Sequence, residues 1–269
     1  MQPDLAAALL GALKLPLAAF ALGLARALGM LQILPAATRL GLTGMHRGAL
    51  AAALSMVCLP VLLQQLQPAD ITGAHLTLLT VKEGMIGFVL GLLFAVPFWA
   101  AETAGELIDQ QRGSRGAVTP DPVSQEENGI TATLFVLTIV TIFIVSGGLH
   151  WVFDAMLQSY RIWPAASLMP PFALAAAPHL LAVLDAVLRT GLILAAPMLI
   201  AMLLAELGLA LVSRFAPQLN VFDLSMSLKG LVQVIGLPAY AVFLIGYFRE
   251  GLGTIVDVAP ELHRLAGQQ

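Results

Sequence analysis

The stretch Gly84-Met85-Ile86-Gly87-Phe88-Val89-Leu90-Gly91-Leu92-Leu93-Phe94-Ala95-Val96-Pro97-Phe98-Trp99-Ala100-Ala101 carries no charge, and it is bracketed by Lys82-Glu83 and Glu102. A helix needs about 20 mostly apolar residues to cross a bilayer, so this run reads as a membrane span. The rest of the chain repeats the pattern. Of 269 residues 59% are hydrophobic and 11% charged, with a mean hydropathy of +0.89. A soluble domain typically carries about 25% charged residues. A chain this poor in charge cannot cover a water-facing surface, so lipid must solvate much of it.

Six candidate spans follow: Leu5–Ile33, Ala49–Leu66, Gly84–Ala101, Ile130–Phe153, Ala186–Val212 and Leu228–Phe248. The apolar region Phe172–Leu184 is interrupted by Pro178 and His179, and it reads as a re-entrant piece or an extension of the fifth segment. The expectation is an all-α polytopic membrane protein of about six bent hydrophobic helices, with residues 1–269 forming a single integral-membrane domain. Pro16, Pro60, Pro97, Pro197 and Pro238 each fall inside a different segment. Proline removes a backbone donor and clashes with the preceding turn, so these segments are expected to bend or break and to pack against other protein. Gly87/Gly91 and Gly44/Gly48 have GxxxG spacing, which lets helix backbones approach closely.

Several function classes fall away. A net charge of −3 does not suit a nucleic-acid binder, which needs a basic face. The single cysteine, Cys58, excludes an internal disulfide framework or a multi-cysteine metal cluster. The opening Met1-Gln2-Pro3-Asp4 has no basic n-region, so no cleaved signal peptide is expected. His46, His75, His150, His179 and His263 lack metal-ligand spacing, and no nucleophile motif or phosphate-cradling loop accompanies them. No catalytic residue, cofactor site or metal site is expected. Basic residues divide five to four between the two sets of loops, so the positive-inside rule gives no orientation.

Charges within or beside apolar segments are the candidate polar sites: Lys14, Arg26, Glu83, Glu102, Glu206 and Lys229. A charge at the bilayer centre costs at least about 2.5–3.5 kcal/mol and faces protein or water when it occurs. Glu206 is flanked by Ala201–Ala205 and Leu207–Val212. With no second carboxylate three or four residues away, it reads as a paired charge at a contact, ahead of a proton or ion site. Lys82-Glu83 reads as an interfacial pair capping the third helix. The region 102–129 begins as a polar helix with Glu102, Glu106 and Asp109 along one side. It then turns to Gly113-Ser114-Arg115-Gly116 and Thr119-Pro120-Asp121-Pro122. Glycine gives flexibility, and each proline biases its predecessor to extended backbone. This is either a solvated connector or a movable segment occupying a polar cavity.

Three blocks carry a family resemblance. The first is Lys82-Glu83-Gly84-Met85-Ile86-Gly87, leading into Ala104-Gly105-Glu106-Leu107-Ile108-Asp109-Gln110-Gln111-Arg112-Gly113 and Asp121-Pro122. The second is Ser146-Gly147-Gly148-Leu149-His150. The third runs from Leu207 through Ser213-Arg214-Phe215-Ala216-Pro217-Gln218-Leu219-Asn220-Val221-Phe222 to Lys229-Gly230. Over nearly its whole length the chain resembles the SctT/FliR family of type III secretion export-apparatus proteins, with wording closer to the injectisome (SctT, HrcT-type) branch than to the flagellar one.

The resemblance implies a subunit of an export gate in the bacterial inner membrane, with helical hairpins packed into a helical assembly. It implies SctR-like and SctS-like partners, typically five and four per SctT-like chain, together with SctU-like and SctV-like components and secreted protein substrates. It also implies a pore plug in Gln110–Ser124, whose central residues are Arg112, Gly113, Ser114, Arg115, Gly116, Ala117, Val118 and Thr119. Glu83, Glu102, Glu206, Arg214 and Lys229 are the candidate intramembrane or interface polar residues. A secondary transporter would need internally repeated, interrupted helices, and no repeat is visible. An intramembrane enzyme would need clustered catalytic groups, and none is visible.

Overall fold

The computed structural model describes residues 3–67, 73–113, 129–168, 176–216, 221–256 and 260. Among them every regular element is helical: α1 Pro3–Ile33, α2 Pro35–Arg39, α3 Gly44–Gln65, α4 Gly73–Arg112, α5 Ile130–Val145, α6 Gly148–Ile162, α7 Ala176–Phe215 and α8 Val221–Gly253. Five helices are long and apolar enough to cross a membrane, or six if α5 and α6 count as one broken span. The chain is an all-α, multi-pass membrane protein.

Three sequence expectations are sharpened. First, the helices outrun their apolar windows. α4 and α7 have 40 residues each, about 60 Å at 1.5 Å per residue, or about twice the hydrocarbon thickness. Polar residues such as Thr77 and Thr80 extend α4 upstream of Gly84, because intrahelical bonding does not require apolar side chains, while the polar continuation expected past Glu106 and Asp109 runs to Arg112. α7 starts at Ala176, so the later part of Phe172–Leu184 extends the fifth segment; residues 169–175 lie outside the described residues. Second, all five prolines lie inside helices that continue past them. Third, the break falls in the segment without proline. α5 stops at Val145, and Gly147 takes φ 82°, a left-handed conformation that a right-handed helix cannot contain. The predicted Ile130–Phe153 span is therefore two helices.

The chain forms two compact units. One comprises Met1–Ala95, Gly147–Ala182 and Thr254–Gln269. In it α1 packs on α3, and α3 on α6, around buried Leu22, Met30, Cys58, Leu62, Met156 and Tyr160. Ser55 donates to the Phe20 carbonyl at 2.7 Å across the α1–α3 contact. α1 also crosses the first part of α4 at very close range. A Cβ at Gly87 would overlap the Arg26 carbonyl, and one at Gly91 would stand 2.5 Å from the Met30 carbonyl oxygen. The Gly87/Gly91 pair is thus the floor of a helix crossing. A Cβ added at Gly44 or Gly48 would have nothing within 4 Å, so their identical spacing marks no crossing among the described residues.

The other unit comprises Val96–Ser146 and Val183–Gly253. Here α5 packs on α8. Phe98 meets Phe143 edge-on at 5.4 Å, and Phe135 meets Phe248 at 5.9 Å. Gly105 lies against the Ala132 backbone. α7 and α8 remain largely uncovered, with Leu192, Ile200, Leu203, Leu231, Val234 and Phe243 exposed.

Candidate functional site

Two polar constellations stand out in this apolar chain, one in each unit. In the first, Arg26 of α1 is wholly buried. Its Nε donates to Glu83 Oε2 at 2.6 Å, Nη1 to Ser159 Oγ at 2.7 Å and Nη2 to the Trp163 carbonyl at 3.0 Å. The guanidinium carbon lies 3.7 Å over the Tyr160 ring. Lys82 Nζ donates to the carbonyls of Pro164, Ala165 and Ser167 at 3.1, 2.9 and 2.9 Å, and it stands 2.8 Å from Glu83 Oε1. Gln65 adds a neutral clamp: Nε2 donates to the Tyr160 carbonyl at 3.0 Å, and Oε1 accepts from Ala165 N–H at 2.9 Å. Lys82-Glu83 is therefore not a surface cap. α4 begins earlier, at Gly73, and the pair is buried in mid-helix. Two cations and one carboxylate fasten the end of α6 and the following turn to α1 and α4.

In the second unit, Asp109 near the end of α4 is buried. Its Oδ2 accepts the Thr131 and Ala132 N–H groups at 2.8 and 3.3 Å, and Oδ1 accepts the Thr131 hydroxyl at 2.6 Å. Glu106 Oε1 accepts the Gly129 N–H at 2.8 Å. Gly129, the N-cap of α5, has no side chain to offer, so α4 supplies the acceptors from 20 or so residues upstream. A carboxylate here also complements the positive end of the α5 dipole. Gln233 Nε2 on α8 donates to Thr131 Oγ1.

The remaining candidates are dispersed. Glu206 on α7 pairs with Lys229 on α8 at 2.8 Å, with side chains 45% and 12% exposed. Arg214 is exposed in the last turn of α7, and Glu102 is half-buried on α4. Arg112 closes α4 and Gly113 follows with φ 83°, while Ser114–Thr119 of the candidate plug lie outside the described residues. Among the described residues no group of three or more His, Cys, Asp or Glu side chains is placed to hold a metal ion. Ser159, Gln65, Thr131 and Gln233 escape sequence reasoning: they are neutral, isolated and without a spacing signal.

The first sequence block supplies Lys82, Glu83, Glu106 and Asp109 to these two constellations. The family described as bacterial export proteins, family 1, matches residues 17–255. The chain belongs to this SctT/FliR family. It is 33% identical to the Yop proteins translocation protein T of Yersinia pestis, over 90% of this chain and 93% of that protein. It is 29% identical to the surface presentation of antigens protein SpaR of Salmonella typhimurium, over 83% and 82%. To the flagellar biosynthetic protein FliR of Escherichia coli it is 28% identical, over 68% and 71%. In this SctT/FliR-family chain, Lys82, Glu83 and Gly87 of the first block form the buried cluster and the α1–α4 crossing, and Asp109 caps α5. Gly147 of the second block makes the α5–α6 break. The third block covers the end of α7 and the start of α8, where Pro217–Asn220 lie outside the described residues.

Proposed function

We propose that this export protein is the SctT-like subunit of a type III secretion export gate in the bacterial inner membrane. It would assemble there with SctR-like and SctS-like subunits and meet SctU-like and SctV-like components. The family match across residues 17–255 carries the reading. The 33% identity to a translocation protein over 90% of the chain favours the injectisome branch over the flagellar one, where the identity is 28% over 68%. The long apolar faces of α7 and α8 support it too, since such faces suit neighbouring subunits as well as lipid. Secreted chains would pass unfolded, and Arg112–Thr119 would plug the resting pore. The role needs no catalysis, metal or cofactor from this chain.

Tagging the protein, isolating it from membranes in mild detergent and identifying its companions tests the reading. Co-isolation with SctR-like and SctS-like subunits is expected. A stable monomer that transports a small solute overturns it.

A further inference from the structure

We propose that Lys82 is the resident cation of an oxygen cage suited to a compact monovalent cation, and that filling this cage fastens the 164–167 turn to α4. The cage consists of the carbonyl oxygens of Pro164, Ala165 and Ser167 and the carboxylate Oε1 of Glu83, all 2.8–3.1 Å from Nζ. An ammonium has three N–H donors, and it shares them among these four oxygens, with all three carbonyls accepting from Nζ. Glu83 Oε1, at 2.8 Å, is the fourth oxygen and brings the cage its negative charge. Rings of carbonyl oxygens of this kind replace the hydration shell of a potassium ion, whose size is close to that of ammonium. Arginine could not serve here, because its planar fork cannot place one point charge among four oxygens.

The charge balance ties the cage to the turn. Arg26 and Lys82 against Glu83 leave one positive charge in excess in a buried place. The opposing negative potential comes from the last carbonyls of α6, which ends at Ile162, and from the turn that follows. Undocking the turn would leave two cations, Arg26 and Lys82, sharing the one carboxylate of Glu83, so cation and turn hold each other. Nothing in this depends on the export reading.

The test uses the full chain in its detergent-solubilised complex, with Lys82→Ala to empty the cage and Lys82→Met to fill its volume without charge. Elastase cleavage at Ala165–Ala166 and the thermal midpoint are read at equal ionic strength in potassium, methylammonium or choline chloride. In choline, Lys82→Ala is expected to be cut at least several-fold faster than the parent and to melt lower. Potassium or methylammonium should recover at least half of that loss, while Lys82→Met stays fast-cut in all three salts. Parent-like behaviour of Lys82→Ala in choline, no recovery with either small cation, or equal recovery in both variants overturns the proposal. If Lys82→Ala does not accumulate, Lys82→Gln replaces it. Its amide donors should slow cleavage relative to Lys82→Met, and equal cleavage overturns the proposal.

Discussion

A helix that begins at Ile130 has orphan N–H groups in its first turn, and Gly129 cannot cap them. Asp109 accepts two of these amides and the Thr131 hydroxyl, while Glu106 accepts one N–H. A buried, charge-assisted set of this kind contributes about 1.5–3 kcal/mol, against about 0.5–1.5 kcal/mol for a single ordinary bond. Asp109→Ala is therefore expected to lower stability by about 2–3 kcal/mol. Asp109→Asn, which keeps an acceptor but loses the charge at the helix end, should cost about 1 kcal/mol, and Glu106→Ala about as much. Denaturation midpoints of the purified variants measure the order, and an Asp109→Ala variant as stable as the parent contradicts it. The sequence places Glu102, Glu106 and Asp109 on one side of a helix, which is correct as far as it goes. It does not name the recipient, because the N-terminus of α5 is brought there by tertiary packing. Arg26 is the same case: it is recognisable as a costly charge in an apolar run, but its acceptors Ser159 and the Trp163 carbonyl follow no spacing rule.

At the scale of elements, identical glycine spacings have different consequences. Gly87 meets the Arg26 backbone, which cannot swing aside as a flexible side chain would, so Gly87→Ala must open the α1–α4 crossing. Overpacking of this sort costs about 1–3 kcal/mol, and the displaced Arg26 would also loosen its bond to Glu83. Gly48→Ala meets open space in this chain. It should be neutral or stabilising by up to about 1 kcal/mol through helix propensity. Thermal melting of the two variants distinguishes them, and equal shifts would sink the assignment of the crossing. Hydropathy located the apolar centre of every long helix. It does not locate their starts, because α4 begins at Gly73 and α7 at Ala176, well before the apolar windows that open at Gly84 and Ala186. Proline does not end these helices, since losing one intrahelical bond leaves the other turns intact, whereas the positive φ at Gly147 does end one.

For the whole molecule, the export reading requires a resting state that blocks ions, and a glycine-rich polar stretch can fill a lumen without a rigid fold. Residues 114–128 connect the end of α4 to the start of α5, and the roots of that connection are held together by the Asp109 and Glu106 caps. Deleting Arg112–Thr119 leaves 120–128 to join Gln111 to Gly129, a short distance because Asp109 already touches Thr131. Helix packing on both sides of the deletion is thus retained, and co-isolation with the SctR-like and SctS-like subunits should persist. On the proposed plug role, what changes is the obstruction. The closed complex, reconstituted in a planar bilayer, is expected to pass more ion current than the parent with no substrate engaged. Unchanged conductance in an intact complex would remove the plug from this segment while leaving the subunit's place in the gate untouched, since assembly and leakage are read separately.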